Sequence, residues 1–121
     1  MFLMKFIKSF RFATKGIVYA FKHEANFRLQ CFIGFVALCV GSVLPLKPWE
    51  FLLIVLMTIL VLVLELFNTA LELFADLLLP RLHHHVGAVK DIMAGAVLLT
   101  AFAAFVVGIV VLGPHLVALV K

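Results

Sequence analysis

A chain of 121 residues has the length of one domain, but 66% hydrophobic residues, 13% charged residues and a mean hydropathy of +1.28 exclude an ordinary soluble one. The composition is that of a polytopic membrane protein. Its net charge of +4 invites a nucleic-acid reading, yet the basic residues gather beside the apolar runs, where an anionic membrane surface accounts for them, so no nucleic-acid partner is expected.

The first segment, Phe2 to Lys22, mixes aromatic and basic residues too evenly to cross a bilayer. On a helical wheel Lys5, Lys8, Arg11, Lys15 and Lys22 share one face, while Phe2, Leu3, Phe6, Ile7, Phe10, Ile17 and Phe21 share the other. This pattern predicts an amphipathic surface helix over about 2–22, its phenylalanines in the acyl boundary and its lysines among headgroups. The segment lacks the long apolar core and small-residue cleavage site of a signal peptide, so its first turns are expected in the mature protein.

A polar knot, His23-Glu24-Ala25-Asn26-Phe27-Arg28, precedes the first apolar run, Leu29 to Leu46, which is about 18 residues long and just sufficient to cross a ~30 Å hydrocarbon layer. Glu24 and Arg28 are four apart and could form an intrahelical ion pair worth a few tenths of a kcal/mol. Cys31 and Cys39 lie eight residues apart in this run, about 12 Å of helical rise, too far for a bridge within one helix.

Pro45-Leu46-Lys47-Pro48 ends the first span, and Trp49 occupies an interfacial position. A second helix is predicted over about 50–79, roughly 45 Å long and thus longer than the bilayer core. Phe51 to Leu64 contains Thr58 as its single polar residue; then Glu65, Asn68, Glu72 and Asp76 follow at i, i+3, i+7 and i+11, in one stripe roughly 60° wide. Counted from Phe51, the hydrocarbon is used up after about 20 residues. Glu65 therefore lies just inside the boundary, and Glu72 and Asp76 at or beyond it.

Pro80 to Val89 is predicted as a second connection, containing Arg81, His83-His84-His85 and Gly87. Consecutive histidines on a flexible connection diverge, so they are read as interfacial rather than as a metal site. The third span is predicted over about 90–112, with small residues at Ala94-Gly95-Ala96, Ala103-Ala104 and Gly108 that permit close helix packing or oligomerisation. Gly113-Pro114-His115 and a short apolar tail closed by Lys121 follow it. Lysine and arginine counts in the short flanks put the N-terminus and the second connection in the cytoplasm and the C-terminus outside.

That sidedness gathers Glu24 and Arg28, the acidic stripe, and Lys90-Asp91 at one membrane boundary. A charge at the centre of a membrane helix costs about 2.5–3.5 kcal/mol on the lenient insertion scale, so Glu65 needs a partner or a watery site. Neutralisation by Lys90 or Arg28, serving only helix assembly, is one explanation. Several carboxylates beside a lysine also suit a magnesium nucleotide, because Mg²⁺ is held by one or two carboxylates plus phosphates, and lysine meets phosphate as a point charge. Glu65, deepest in the stripe, stands where a membrane-held acceptor hydroxyl would meet a base. No Walker-type glycine loop is present.

The motifs Lys15-Gly16, Glu24-Ala-Asn-Phe-Arg28, Glu65-Leu-Phe-Asn-Thr-Ala-Leu-Glu72 with Asp76, and Lys90-Asp91-Ile-Met-Ala-Gly-Ala-Val97 run in order through nearly the whole chain. In this the sequence resembles the small prokaryotic membrane lipid kinases, which include diacylglycerol kinase and undecaprenol kinase. The resemblance implies an all-α integral membrane protein, with a surface helix and three transmembrane helices, acting as a homotrimer with composite sites at the cytoplasmic face of the bacterial inner membrane. It implies transfer of the γ-phosphate of ATP, with Mg²⁺, to a lipid alcohol. By position Glu65 looks like the catalytic base and Glu24 and Glu72 like the metal carboxylates. Lys90, Asn68, Asp76, Asp91 and Lys15 look like nucleotide-site residues. The enterobacterial members carry tyrosines where Phe12 and Leu82 align in this chain. Asn26-Phe27-Arg28, Asn68-Thr69-Ala70 and the Lys90-Asp91 segment look closer to the undecaprenol-kinase side of the family. An oligomeric channel with an acidic ion path is the alternative, but it requires a polar lining that Phe51 to Leu64 lacks. A structural membrane subunit is the third reading, and it makes the acids individually replaceable.

Overall fold

The computed structural model describes residues 1–121 and contains helices only: α1 (Phe2–His23), α2 (Ala25–Val43), α3 (Pro48–Leu77) and α4 (His83–Val120). The last three are each long and apolar enough to cross a membrane. Helix α3 is central, packed along α4 on one side and α2 on the other, while α1 meets the bundle only at the end where α2 begins and α3 finishes. Between apolar helices in lipid there is little hydrophobic drive, so close packing and a few polar contacts must hold the bundle together. One such approach is visible at Gly34: a Cβ there would lie 2.5 Å from Thr58 Cγ2, so α2 can seat on α3 only through a residue without one.

Helix α1 ends on a single extended residue, Glu24 (φ −116°, ψ 108°), and α2 begins immediately after it. Nothing in the local sequence contains a glycine or proline to force this break. Arg28 supports it from the far side: its guanidinium donates to the carbonyls of Phe21 (2.8 Å) and Lys22 (3.1 Å), capping the end of α1. The i,i+4 ion pair expected between Glu24 and Arg28 is therefore absent, because Arg28 is committed to backbone oxygens that α1 leaves unpaired.

Helix boundaries differ from the sequence expectation in instructive ways. The first span starts at Ala25 rather than Leu29 and ends at Val43 rather than Leu46, since Leu44 is already extended before Pro45. Helix α3 opens with Pro48 at its first position, and the Glu50 carboxylate accepts the Lys47 backbone N–H at 2.9 Å. Helix α4 starts at His83, so the three histidines occupy its first turn rather than a loose connection. It also continues through Pro114 to Val120. A proline removes one backbone hydrogen bond, and membrane helices tolerate that where neighbours support the freed groups. Here His115 Nε2 lies 3.5 Å from Glu50 Oε1, holding the end of α4 against the start of α3.

Only 12 of the 121 residues are buried within the chain, so the outward faces of the spans, rich in Leu, Phe, Val and Ile, are left for lipid or other polypeptide.

Candidate active site

The buried face of α3 carries Ile54, Val61, Glu65, Thr69 and Ala75. Glu65 is 2% exposed and is the largest fully buried side chain of the molecule. Exposure then rises along the stripe: Asn68 and Glu72 are half-buried and Asp76 is exposed. The Thr69 hydroxyl donates to the Glu65 backbone carbonyl at 3.0 Å, and the Asn68 amide donates to Glu72 Oε1 at 3.3 Å. Neither bond is visible in the residue pattern alone, although both follow from i,i+4 spacing once the stripe is helical.

The break between α1 and α2 at Glu24 places that residue beside the stripe. The Glu24 carboxyl is within hydrogen-bonding reach of Glu72, and both are close enough to Glu65 to interact with it electrostatically. Glu24 titrates above the ordinary carboxylate value of 4.5, chiefly because burial disfavours its charge, then because of the Glu72 carboxylate beside it; His23 opposes the shift. Three carboxyl groups from two distant segments thus lie within electrostatic range of one another.

The cations do not neutralise them. Lys90 Nζ pairs with Asp76 Oδ1 at 2.9 Å, a contact exposed on both sides, and Arg28 is held by α1 carbonyls. The assembly explanation, in which Lys90 or Arg28 offsets Glu65, has no counterpart in the chain, where Lys90 pairs with Asp76 and the other carboxylate contact, from His115, goes to Glu50. Asp91 adjoins Lys90 in an open recess of about 500 Å³ that His83, His84 and Gly87 also line. Lys15 stands apart: it is exposed on α1, with its ammonium 5.9 Å from the centroid of the Phe12 ring. On the other flank of Glu65, Leu62 and Leu66 border an apolar recess of about 370 Å³ under Val18, Phe21 and Phe27.

No group of three or more acidic, histidine or cysteine side chains is arranged as a cage for a metal ion. That donor set still fits Mg²⁺, which commonly takes only one or two carboxylates and completes its shell with phosphate and water. Glu24 and Glu72 are two carboxyl groups in contact with no cation between them, an arrangement that a divalent ion would relieve.

Fold and site together define a class: a small three-span helical membrane protein with an acidic cluster at one end of its bundle. The chain belongs to the prokaryotic diacylglycerol kinase family, whose model matches residues 11–112. A diacylglycerol kinase of Synechocystis is 42% identical over 112 residues, covering 92% of this chain; the chain spans only 64% of that relative's length. The undecaprenol kinase of Bacillus subtilis is 33% identical over 114 residues, covering 94% of this chain and 93% of the relative. The diacylglycerol kinase of Haemophilus influenzae is 32% identical over 108 residues, covering 89% of each. With its three apolar helices and bacterial relatives, the protein is a bacterial multi-pass membrane protein.

Proposed function

We propose that this protein is an ATP-dependent lipid kinase that phosphorylates the hydroxyl of a membrane lipid alcohol at the cytoplasmic face of the membrane, with undecaprenol as its acceptor. The observation that carries the reading is the convergence of Glu24, Glu65 and Glu72 with no cation paired to any of them. A cluster built only for assembly would be charge-balanced, because an unpaired charge in a membrane helix is costly.

In the proposed mechanism Glu65 accepts the proton of the lipid hydroxyl as its oxygen attacks the γ-phosphorus; the bond to the bridging oxygen breaks and ADP departs. Burial at the membrane edge keeps bulk water from competing as acceptor. Glu24 and Glu72 would hold Mg²⁺, which when bound offsets phosphate charge. Asn68 orients Glu72 through its amide. Lys90, with Asp76 and Asp91, forms the phosphate end of the nucleotide site, and the recess at His83 and His84 suits the remainder of the nucleotide. Lys15 belongs to this site only if α1 of a neighbouring copy or a movement of α1 brings it there, and a homotrimer with shared sites supplies the first route.

Diacylglycerol is the second reading of the acceptor, favoured by the 42% identity to the Synechocystis relative of that name. Purified protein in mixed micelles with γ-labelled ATP and Mg²⁺, offered undecaprenol and diacylglycerol separately, should label undecaprenol more efficiently and lose all labelling on chelation. Preferential labelling of diacylglycerol would reverse the acceptor assignment; labelling of neither by a folded protein would remove the kinase reading.

A further inference from the structure

The break that sets Glu24 beside Glu72 contains no helix-breaking residue. Positions 19–28 hold neither glycine nor proline, so by sequence α1 and α2 could run on as one helix. In such a helix the Phe21 carbonyl would accept from the N–H of Ala25, and the Lys22 carbonyl from that of Asn26, each four residues on. Both acceptors are instead taken by one side chain: Arg28 Nη1 donates to the Phe21 carbonyl at 2.8 Å and to the Lys22 carbonyl at 3.1 Å. The backbone of Arg28 takes part as well, its N–H donating to the Glu24 carbonyl at 3.2 Å, while the Glu24 N–H donates to the Ala20 carbonyl at 2.8 Å. Glu24 is thereby held on both sides, between two buried anchors, Ala20 and Phe27.

We infer that Arg28 is a positioning residue for Glu24: by replacing the two hydrogen bonds of a continuous helix, its guanidinium keeps Glu24 extended and its carboxyl turned toward Glu72. The inference rests on the reading of Glu24 and Glu72 as the metal carboxylates of a kinase. Its physical content is a competition between two backbones. In the continuous helix ψ of Glu24 would swing by about 150° from its value of 108°, which re-aims the side chain relative to an α2 that Phe27 holds in place. There Arg28 would make only an exposed i,i+4 ion pair with Glu24, a weak contact that also occupies the carboxylate. In the broken form the same charge strengthens two bonds to carbonyls and leaves the carboxyl free for a metal ion. Arg28 thus acts on the acidic cluster without touching it, through the backbone on which Glu24 is mounted.

Two readouts on the full-length protein in mixed micelles test this. Binding of Mn²⁺ in the presence of a non-hydrolysable ATP analogue, followed by electron paramagnetic resonance, reports the metal site without turnover. Arg28→Gln should weaken that binding by about tenfold, the scale expected when a metal ligand loses the residue that orients it. It should raise the Mg²⁺ concentration for half-maximal lipid phosphorylation in step, with the KM for lipid unchanged. In a Glu24→Gln background the same substitution should have no further effect on Mn²⁺ binding, because the group it orients is gone. Arg28→Lys keeps the charge but ends one bond short of Nη1; it should show the same pattern at smaller size, and it carries the test if the glutamine variant loses the helical content of wild type. Wild-type Mn²⁺ affinity in either folded variant, or an equal loss with and without Glu24, overturns the positioning role while lipid phosphorylation by wild type leaves the kinase reading intact. Mn²⁺ binding that depends on Arg28 through Glu24, in a protein that phosphorylates no lipid, supports the positioning role and overturns the kinase reading.

Discussion

Glu24 is the residue whose behaviour can be checked without any turnover. Its pKa is raised in the folded chain by burial and by Glu72, so the neutral form is the one the fold favours. The contribution of Glu24 to stability is therefore fully present below the unfolded carboxylate value of 4.5 and is lost as pH rises through the raised folded value. Thermal unfolding of metal-free protein followed from about pH 4 to pH 7 should show a falling midpoint in wild type and a flatter one in Glu24→Gln. Added Mg²⁺ near neutral pH should recover the midpoint in wild type only, since the ion stabilises whichever state binds it. Equal slopes in the two proteins would detach Glu24 from the cluster. The identity of the acidic residues was legible in the sequence, because polar side chains at helical spacing inside hydrocarbon have few innocent explanations. Their partners were not. Lys90 could have met any of the three carboxylates along the stripe, and only the packing of α4 against α3 selects Asp76. An exposed pair of this kind is worth about 0–1 kcal/mol, so it adds little to stability.

Among the elements, α2 and α3 meet most tightly at Gly34 and Thr58. Thr58 cannot easily turn away from a new methyl group, because its side chain is β-branched and its hydroxyl is bonded to Ile54. Gly34→Ala should destabilise the bundle by about 1–3 kcal/mol, the usual cost of overpacking. Thr58→Ser removes Cγ2 and keeps the hydroxyl, so the double variant should regain most of the loss; this is readable as thermal midpoints in detergent. Failure of the double variant to recover would mean that the crowding lies elsewhere. Three long apolar runs made the spans visible from composition, but their ends were decided by longer-range contacts. The sequence predicts the third span over about 90–112, whereas α4 continues to Val120 with Glu50, more than sixty positions away, facing His115. The break at Glu24 is more local in origin, since it leans on Arg28, which reaches back to the Phe21 and Lys22 carbonyls, and on the burial of Ala20, which is 1% exposed.

At the level of the whole molecule, a single chain leaves most of its apolar surface uncovered and pairs Lys15 with none of the acids. The homotrimer proposed above resolves both points, and native mass spectrometry of protein released from detergent should show it; a monomer with full activity would remove the shared-site proposal. Apolar residues and the acidic stripe follow one another along α3, from buried Ile54 and Val61 to the buried carboxyl of Glu65 and the exposed Asp76. The account stands most directly on Glu65 as the base that receives the acceptor proton. Replacing it by glutamine keeps size and removes the basic oxygen pair, so transfer of label from γ-labelled ATP to lipid should fall by about 10²–10⁴-fold, with the helical content and oligomeric state of wild type retained. Wild-type turnover by a folded Glu65→Gln protein would contradict it.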